Sequence, residues 1–127
     1  MNSKSDDVGH VQLLVYRIPK KNHSAMAKLQ KKLTQAYRNH GTLRSEFFQL
    51  DSLEPFMGFV NIGKMVEAGS DDEVWVEWDS YGDRKHRDQV VQKVNQDQSA
   101  GPMFGELMGL MSDGYQVIMG DFDRLEV

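Results

Sequence analysis

At Pro19 the hydrophobic period of this chain changes, and that change limits what it can fold into. The run His10–Ile18 (HVQLLVYRI) has the Val, Leu, Ile and Tyr content of a strand. Pro19 closes it, because a residue without an N–H cannot extend a ladder. Lys20-Lys21-Asn22 predicts a turn, with Asn22 or Ser24 placed to cap a helix. From Ala25 to His40 the positions Met26, Leu29, Leu33, Ala36, Tyr37 and His40 recur at helical spacing, opposite Lys28, Lys31, Lys32, Gln35 and Arg38. Gly41 ends this helix as the residue best suited to a left-handed position, and His40 suits the negative end of the dipole.

The same switch recurs near Ser80. Glu73–Ser80 alternates, Val74, Val76 and Trp78 on one side and Trp75, Glu77 and Asp79 on the other. Ser80 or Asp83 then caps a second helix over residues 83–98, striped by Val90, Val91 and Val94, with Asp83–Arg87 and Arg84–Asp88 spaced for ion pairs. Leu43–Leu50 supplies a further strand and Tyr115–Phe122 the last. After Gly101-Pro102, the residues Met103, Phe104, Leu107, Met108 and Met111 mark a short third helix. Residues 51–72 form a long excursion through Pro55, Gly58, Gly63 and Ser70-Asp71-Asp72; connections of that length in small domains serve function or assembly.

The order strand, helix, strand, excursion, strand, helix, short helix, strand is βαββαβ. It predicts a ferredoxin-like α+β fold: a four-stranded antiparallel sheet with two main helices on one face and a short extra helix. Residues 1–9 read as a flexible leader and 10–127 as one domain, a length that supports one core. The chain has no cysteine, which excludes disulfides, thiolate nucleophiles and cysteine-held metals. A net charge of −4 argues against nucleic acid as a partner, and Lys20, Lys21, Lys28, Lys31 and Lys32 read as solvated helix surface. The apolar runs Leu13–Tyr16 and Val117–Met119 are too short to span a membrane, and a polar N-terminus makes the cytoplasm the expected location.

Two helices cover one face only. Both sides of the strands carry apolar groups, so the uncovered face is expected to hold aromatic and aliphatic side chains mixed with Gln12, Gln116 and Glu77. Such a patch is buried most simply against a second copy in a two-fold homodimer; the alternative is a monomer whose third helix folds over it.

The run Trp78-x-x-Tyr81-x-x-Arg84-x-His86-Arg87-Asp88-x-Val90-x-x-Lys93-Val94-x-x-Asp97 resembles the signature of the YbaA-like proteins, a bacterial family of unknown function. Pro19-Lys20-Lys21-Asn22, His40-Gly41 and Asp113-Gly114 with Ile118, Gly120 and Phe122 fit the same family, whereas residues 52–66 and 101–112 depart from its pattern. The resemblance implies a dimeric α/β barrel, in which two ferredoxin-like protomers pair their sheets. It also implies a superfamily with members that oxidise aromatic or polyketide substrates without a cofactor.

Several residues are candidates for chemistry. His86, beside Arg87 and Asp88, fits a general base with an anion clamp, or a plain ion-pair cluster at a helix start. Tyr16 and Glu77 are further acid–base candidates. Trp75 and Trp78, with Tyr16 and Tyr115, fit the lining of an apolar cavity or the packing of a dimer core. The histidines form no local metal motif; a site assembled from His10 and Glu77 is the one metal arrangement left open, and neither metal nor cofactor is expected. Met103, Met108, Met111 and Met119 read as adaptable packing. Two functions follow: a homodimeric module that binds a small, partly apolar molecule, or a cofactor-independent enzyme of the monooxygenase or isomerase kind.

Overall fold

The computed structural model describes residues 7–114 and 117–127. Strand β1 (His10–Pro19) leads through a 3-10 turn into helix α1 (His23–Asn39), followed by β2 (Arg44–Gln49) and a one-turn helix α2 (Ile62–Met65). Then come β3 (Asp72–Tyr81), α3 (Arg84–Gln96), α4 (Ala100–Leu110) and β4 (Ile118–Asp123). The sheet order is β2-β3-β1-β4, antiparallel throughout, the order of the ferredoxin-like fold.

The period changes act where the sequence places them, with two exchanges of partner. Helix α1 ends before Gly41, which takes φ +118°. Asp83 caps α3, its carboxylate accepting from the His86 N–H at 2.7 Å. Its side chain is therefore turned to the backbone, and the expected Asp83–Arg87 pair gives way to Arg87 facing Asp88 and Asp121; Arg84–Asp88 forms at 3.0 Å. Asn22 occupies the N-cap of α1 but makes no side-chain cap; its amide donates to the Leu110 carbonyl at 3.0 Å, tying α1 to the end of α4. Val8 and Gly9, read as leader, are held in place: the Gly9 N–H donates to the Tyr81 carbonyl, and Arg124 reaches the carbonyls of both. A Cβ at Gly9 would meet the Gly82 carbonyl oxygen. Residues 1–6 and the expected start of the last strand, Tyr115 and Gln116, lie outside the described residues.

The strand register sorts the side chains into two faces. One carries His10, Gln12, Leu14, Tyr16 and Ile18 of β1, paired with Tyr81, Asp79, Glu77, Trp75 and Glu73 of β3. The helices pack here. Tyr16, Ile18 and Trp75 join Met26 of α1 and Met111, with Leu107 and Leu110 of α4 against them. At the other end Tyr81 joins Val90, Val94 and Ala100, flanked by Tyr37, Met103 and Phe104. Helix α4 thus lies beside α1 and α3, not over the opposite face, which removes the monomer arrangement with a third helix folded across it.

The opposite face carries the cross-strand row Phe48, Val76, Val15 and Ile118 and the neighbouring row Glu46, Trp78, Leu13 and Gly120. Among the described residues, its end near Val15 and Val74 is the part that is covered, by Leu50, Val66 and Ala68 of the excursion. Phe48, Trp78, Ile118 and Phe122 remain exposed. Gln12 and Glu77 were expected on this bare face; the register puts both beneath the helices. Alternation shows which residues share a side, but with apolar groups on both sides it does not show which side the helices take.

Candidate functional site

The covered face is polar at its centre. Ser45, Asp79, Gln12 and Asp121 form one row across all four strands, and Glu77 lies in the next row between Phe47 and Leu14. The Ser45 hydroxyl donates to Asp79 at 2.6 Å. The Gln30 amide of α1 donates to the Tyr16 hydroxyl at 3.0 Å and faces Glu77 Oε1 at 3.3 Å. Polar groups in this layer are costly unless partnered, which explains why a buried glutamine stands in the apolar stripe of α1.

Burial and the neighbouring Asp79 carboxylate push the Glu77 carboxyl well above the usual range. Burial raises Asp79 as well. Tyr16 is pushed far up by burial and then by Glu77, while Tyr37 is pushed up to about 12 by burial, Asp79 and Glu77. Burial thus works against a full negative charge on both carboxyls at once.

The helices do not seal this centre. Gln12, Leu14, Phe47 and Glu77 keep partial solvent access although they lie on the covered face. A cleft of about 450 Å³ opens between α1 and β2, lined by Ala27, Gln30, Thr34, Ser45, Phe47 and Trp75, with Lys31, Gln35 and Arg38 also on its walls. Its floor residues Gln30 and Ser45 are the same two that hold Glu77 and Asp79. Apolar patches from Ala27, Phe47 and Trp75 beside convergent polar groups resemble the usual make-up of a small-molecule site.

The sequence candidates divide between the two faces. Tyr16, Glu77 and Trp75 come together on the covered side; Trp75 is buried, its indole N–H donating to Glu73 and its ring meeting the edge of His23. Trp78 lies on the bare side, 43% exposed, so the two tryptophans do not line one cavity. Tyr115 lies outside the described residues. His86 accepts the Gly82 N–H at 3.0 Å and stacks edge-on against Tyr81, a turn-closing role at the start of α3. Arg87 faces Asp121 at 3.3 Å, away from the cleft lining, and Asp88 pairs with Arg84 in solvent.

His10 does not meet Glu77. Its two ring nitrogens contact Asp123 and Asp121, each at 2.9 Å. Burial works to lower its pKa, but the hydrogen bonds and charges of the two carboxylates outweigh it, and the net shift is upward. His40 contacts Asp97 at 2.8 Å, and Ser99 and His40 bring Asp97 down to about 2. The lysines are scattered: Lys28 and Lys32 flank a groove with Leu29, Glu106 and Leu110, whereas Lys20 and Lys21 stand beside Asp71, Asp72 and Asp113. Met111 is buried, Met103 partly so, and Met108 and Met119 are exposed. Sequence reasoning missed Gln30, Asp79 and Ser45; a glutamine on the apolar stripe of α1 was the available signal.

A four-stranded antiparallel β2-β3-β1-β4 sheet with helices on one face defines a ferredoxin-like α+β protein. The chain belongs to the family described as a protein of unknown function (DUF1428), whose model matches residues 9–109. No curated protein matches it. Among solved structures it is similar to an uncharacterized NIPSNAP domain protein from Burkholderia xenovorans, at TM-score 0.62 and 14% identity over 91% of this chain and 94% of that one. It is also similar to a NIPSNAP family protein from Agrobacterium tumefaciens, at TM-score 0.53 and 15% identity over 92% and 86%. An antibiotic biosynthesis monooxygenase aligns at TM-score 0.57 and 11% identity over 92% and 99%. At these identities the likeness is one of fold. Among the described residues no helix is long and apolar enough to cross a membrane.

Proposed function

We propose that the protein is a homodimeric module of the YbaA-like kind that binds a small, partly apolar molecule in the cleft between α1 and β2, in a cytoplasmic setting. The observation that carries the binding site is the unsealed polar centre: Gln30 and Ser45 face the cleft while holding the Glu77–Asp79 pair. A ligand with an apolar body would lie against Phe47, Trp75 and Ala27, and a hydrogen-bonding group would meet Gln30 and Ser45. Pairing of two copies through the bare face is supported by its apolar rows, since exposed patches of that kind are uncommon on soluble monomers.

A thermal-shift screen with small aromatic and alicyclic compounds tests the binding reading. Binders are expected to raise Tm for the native chain and to lose their effect in Ala27→Phe, which fills the cleft from an exposed helix position. Binders unaffected by that change, or none from a broad screen, contradict it.

The second reading, a cofactor-independent monooxygenase or isomerase, is favoured by the Glu77 and Asp79 carboxyls held by Gln30 and Ser45 beside the cleft, both raised by burial. A carboxyl whose pKa is raised by burial is suited to general-acid work. Turnover of a cleft binder that disappears in Glu77→Gln, with binding retained, distinguishes this enzyme from a pure binding module.

A further inference from the structure

The excursion between β2 and β3 is an organised arm. The Asn61 side chain accepts from the Gly63 N–H at 2.8 Å and donates to the Ser52 and Glu54 carbonyls at 2.9 and 3.1 Å. Leu50 and Leu53 close over Gly63, where a Cβ would collide with them. On the return, Arg17 donates to the carbonyl of Glu67, a residue held at φ +54°, at 2.7 Å. The arm is thus braced at its base from both sides.

Its tip is a tight hairpin. Phe56 and Phe59 bridge, the Phe59 N–H donates to the Phe56 carbonyl at 2.8 Å, and Met57 and Gly58 both take positive φ, +51° and +77°. Positive φ at both central residues is what a type I′ turn requires, and methionine meets that requirement only with strain. The turn displays Phe56 at 70% exposure, Met57 at 77%, Phe59 at 67% and Val60 at 70%. A braced support thus carries an apolar tip that none of the described residues buries.

We propose that this tip docks on a second copy of the chain, seating Phe56, Met57 and Phe59 against the partner's bare sheet face. The proposal rests on the reading that two copies pair through that face. Area favours this occupant. Four strands at roughly 4.8 Å spacing over about six residues of about 3.3 Å each offer a projected patch of about 400 Å². The chain's own Leu50, Val66 and Ala68 already cover one end of it. A specific dimer buries about 800 Å² of accessible surface on each partner, and two reciprocal arms enlarge the contact that the partly covered sheet face offers. The arm is also continuous with the face, because its return segment packs on Val15 and Val74 beside the exposed rows. Two-fold pairing uses both surfaces twice.

Sedimentation equilibrium on the full chain tests this with two variants, Phe56→Ser combined with Phe59→Ser in the tip, and Leu13→Asp in the sheet face. Native chain is expected to be dimeric, the tip variant to weaken dimerisation roughly 30-fold or more as truncated hot spots do, and Leu13→Asp to give monomers. A dimer broken by Leu13→Asp but indifferent to the tip variant overturns the arm proposal and leaves sheet pairing intact. A monomeric native chain, or a dimer indifferent to Leu13→Asp, overturns both. Because the chain has no cysteine, Phe59→Cys labelled with a benzophenone maleimide gives a second readout. Crosslinks between chains, to the peptides holding Leu13, Trp78 or Phe122, are expected; crosslinks confined to one chain refute docking.

Discussion

The two faces of the sheet reverse the usual division of labour. The face under the helices is polar at its centre, with Ser45, Asp79, Gln12, Asp121 and Glu77 spread over neighbouring rows beside Phe47 and Leu14, and apolar toward its ends. The face without helices carries Phe48, Val76, Val15, Ile118, Leu13 and Trp78. In an antiparallel sheet with one dry side, the polar residues ordinarily face water. Here helix burial pins the polar centre in place, where it borders a cleft, and leaves the apolar rows for another surface. Coverage alone does not decide which side of a sheet is the interior.

The largest effect separates the two faces by stability. Met26→Ala, in the core above Tyr16 and Trp75, is expected to cost roughly 2–5 kcal/mol in denaturant unfolding. Phe122→Ala on the bare face is expected to change the unfolding of dilute protein by no more than about 0.5 kcal/mol while weakening self-association. Equal losses would dissolve the distinction.

His10→Ala comes next, since it removes an imidazole hydrogen-bonded to two carboxylates, bonds worth about 1.5–3 kcal/mol. The folded pKa of His10 lies above its ordinary 6.5, so its contribution is full below that value and is lost as pH rises through the raised one. The variant should be least stable relative to the native chain in mild acid and approach it in alkali; a constant gap would mean that charge on His10 is irrelevant.

Glu77→Gln has a smaller effect of opposite sense. The raised carboxyl binds its proton more tightly in the folded chain, so native stability falls as pH climbs from the ordinary 4.5 through the raised value. Glutamine removes that fall, and its advantage over the native chain should grow with pH in urea melts across that interval. A parallel pH profile would show that Glu77 ionises as freely as a surface carboxylate.

Much of this was legible in the residues. Pro19, Gly41 and Asp83 punctuate the chain because each acts through local backbone chemistry. Trp75 and Trp78 were assigned to opposite sides because strand alternation is a fixed geometry. What was not legible depended on tertiary choice: with Leu14 and Tyr16 on one side and Leu13 and Val15 on the other, nothing in β1 names the face that receives α1. The candidate site suffered most. Glu77 was picked out, but its partners Gln30 and Asp79 come from another element and another row. The hairpin at Met57-Gly58 was hidden because methionine gives no signal for positive φ.

The most direct test uses the two tryptophans, one on each face. Acrylamide quenching of Trp75→Phe reports Trp78, and of Trp78→Phe reports Trp75. Trp78 should be shielded at high protein concentration and become quenchable on dilution, while Trp75 stays shielded throughout and responds to cleft ligands. A Trp78 equally quenchable at every concentration would contradict the account, because the bare face would then stay in water.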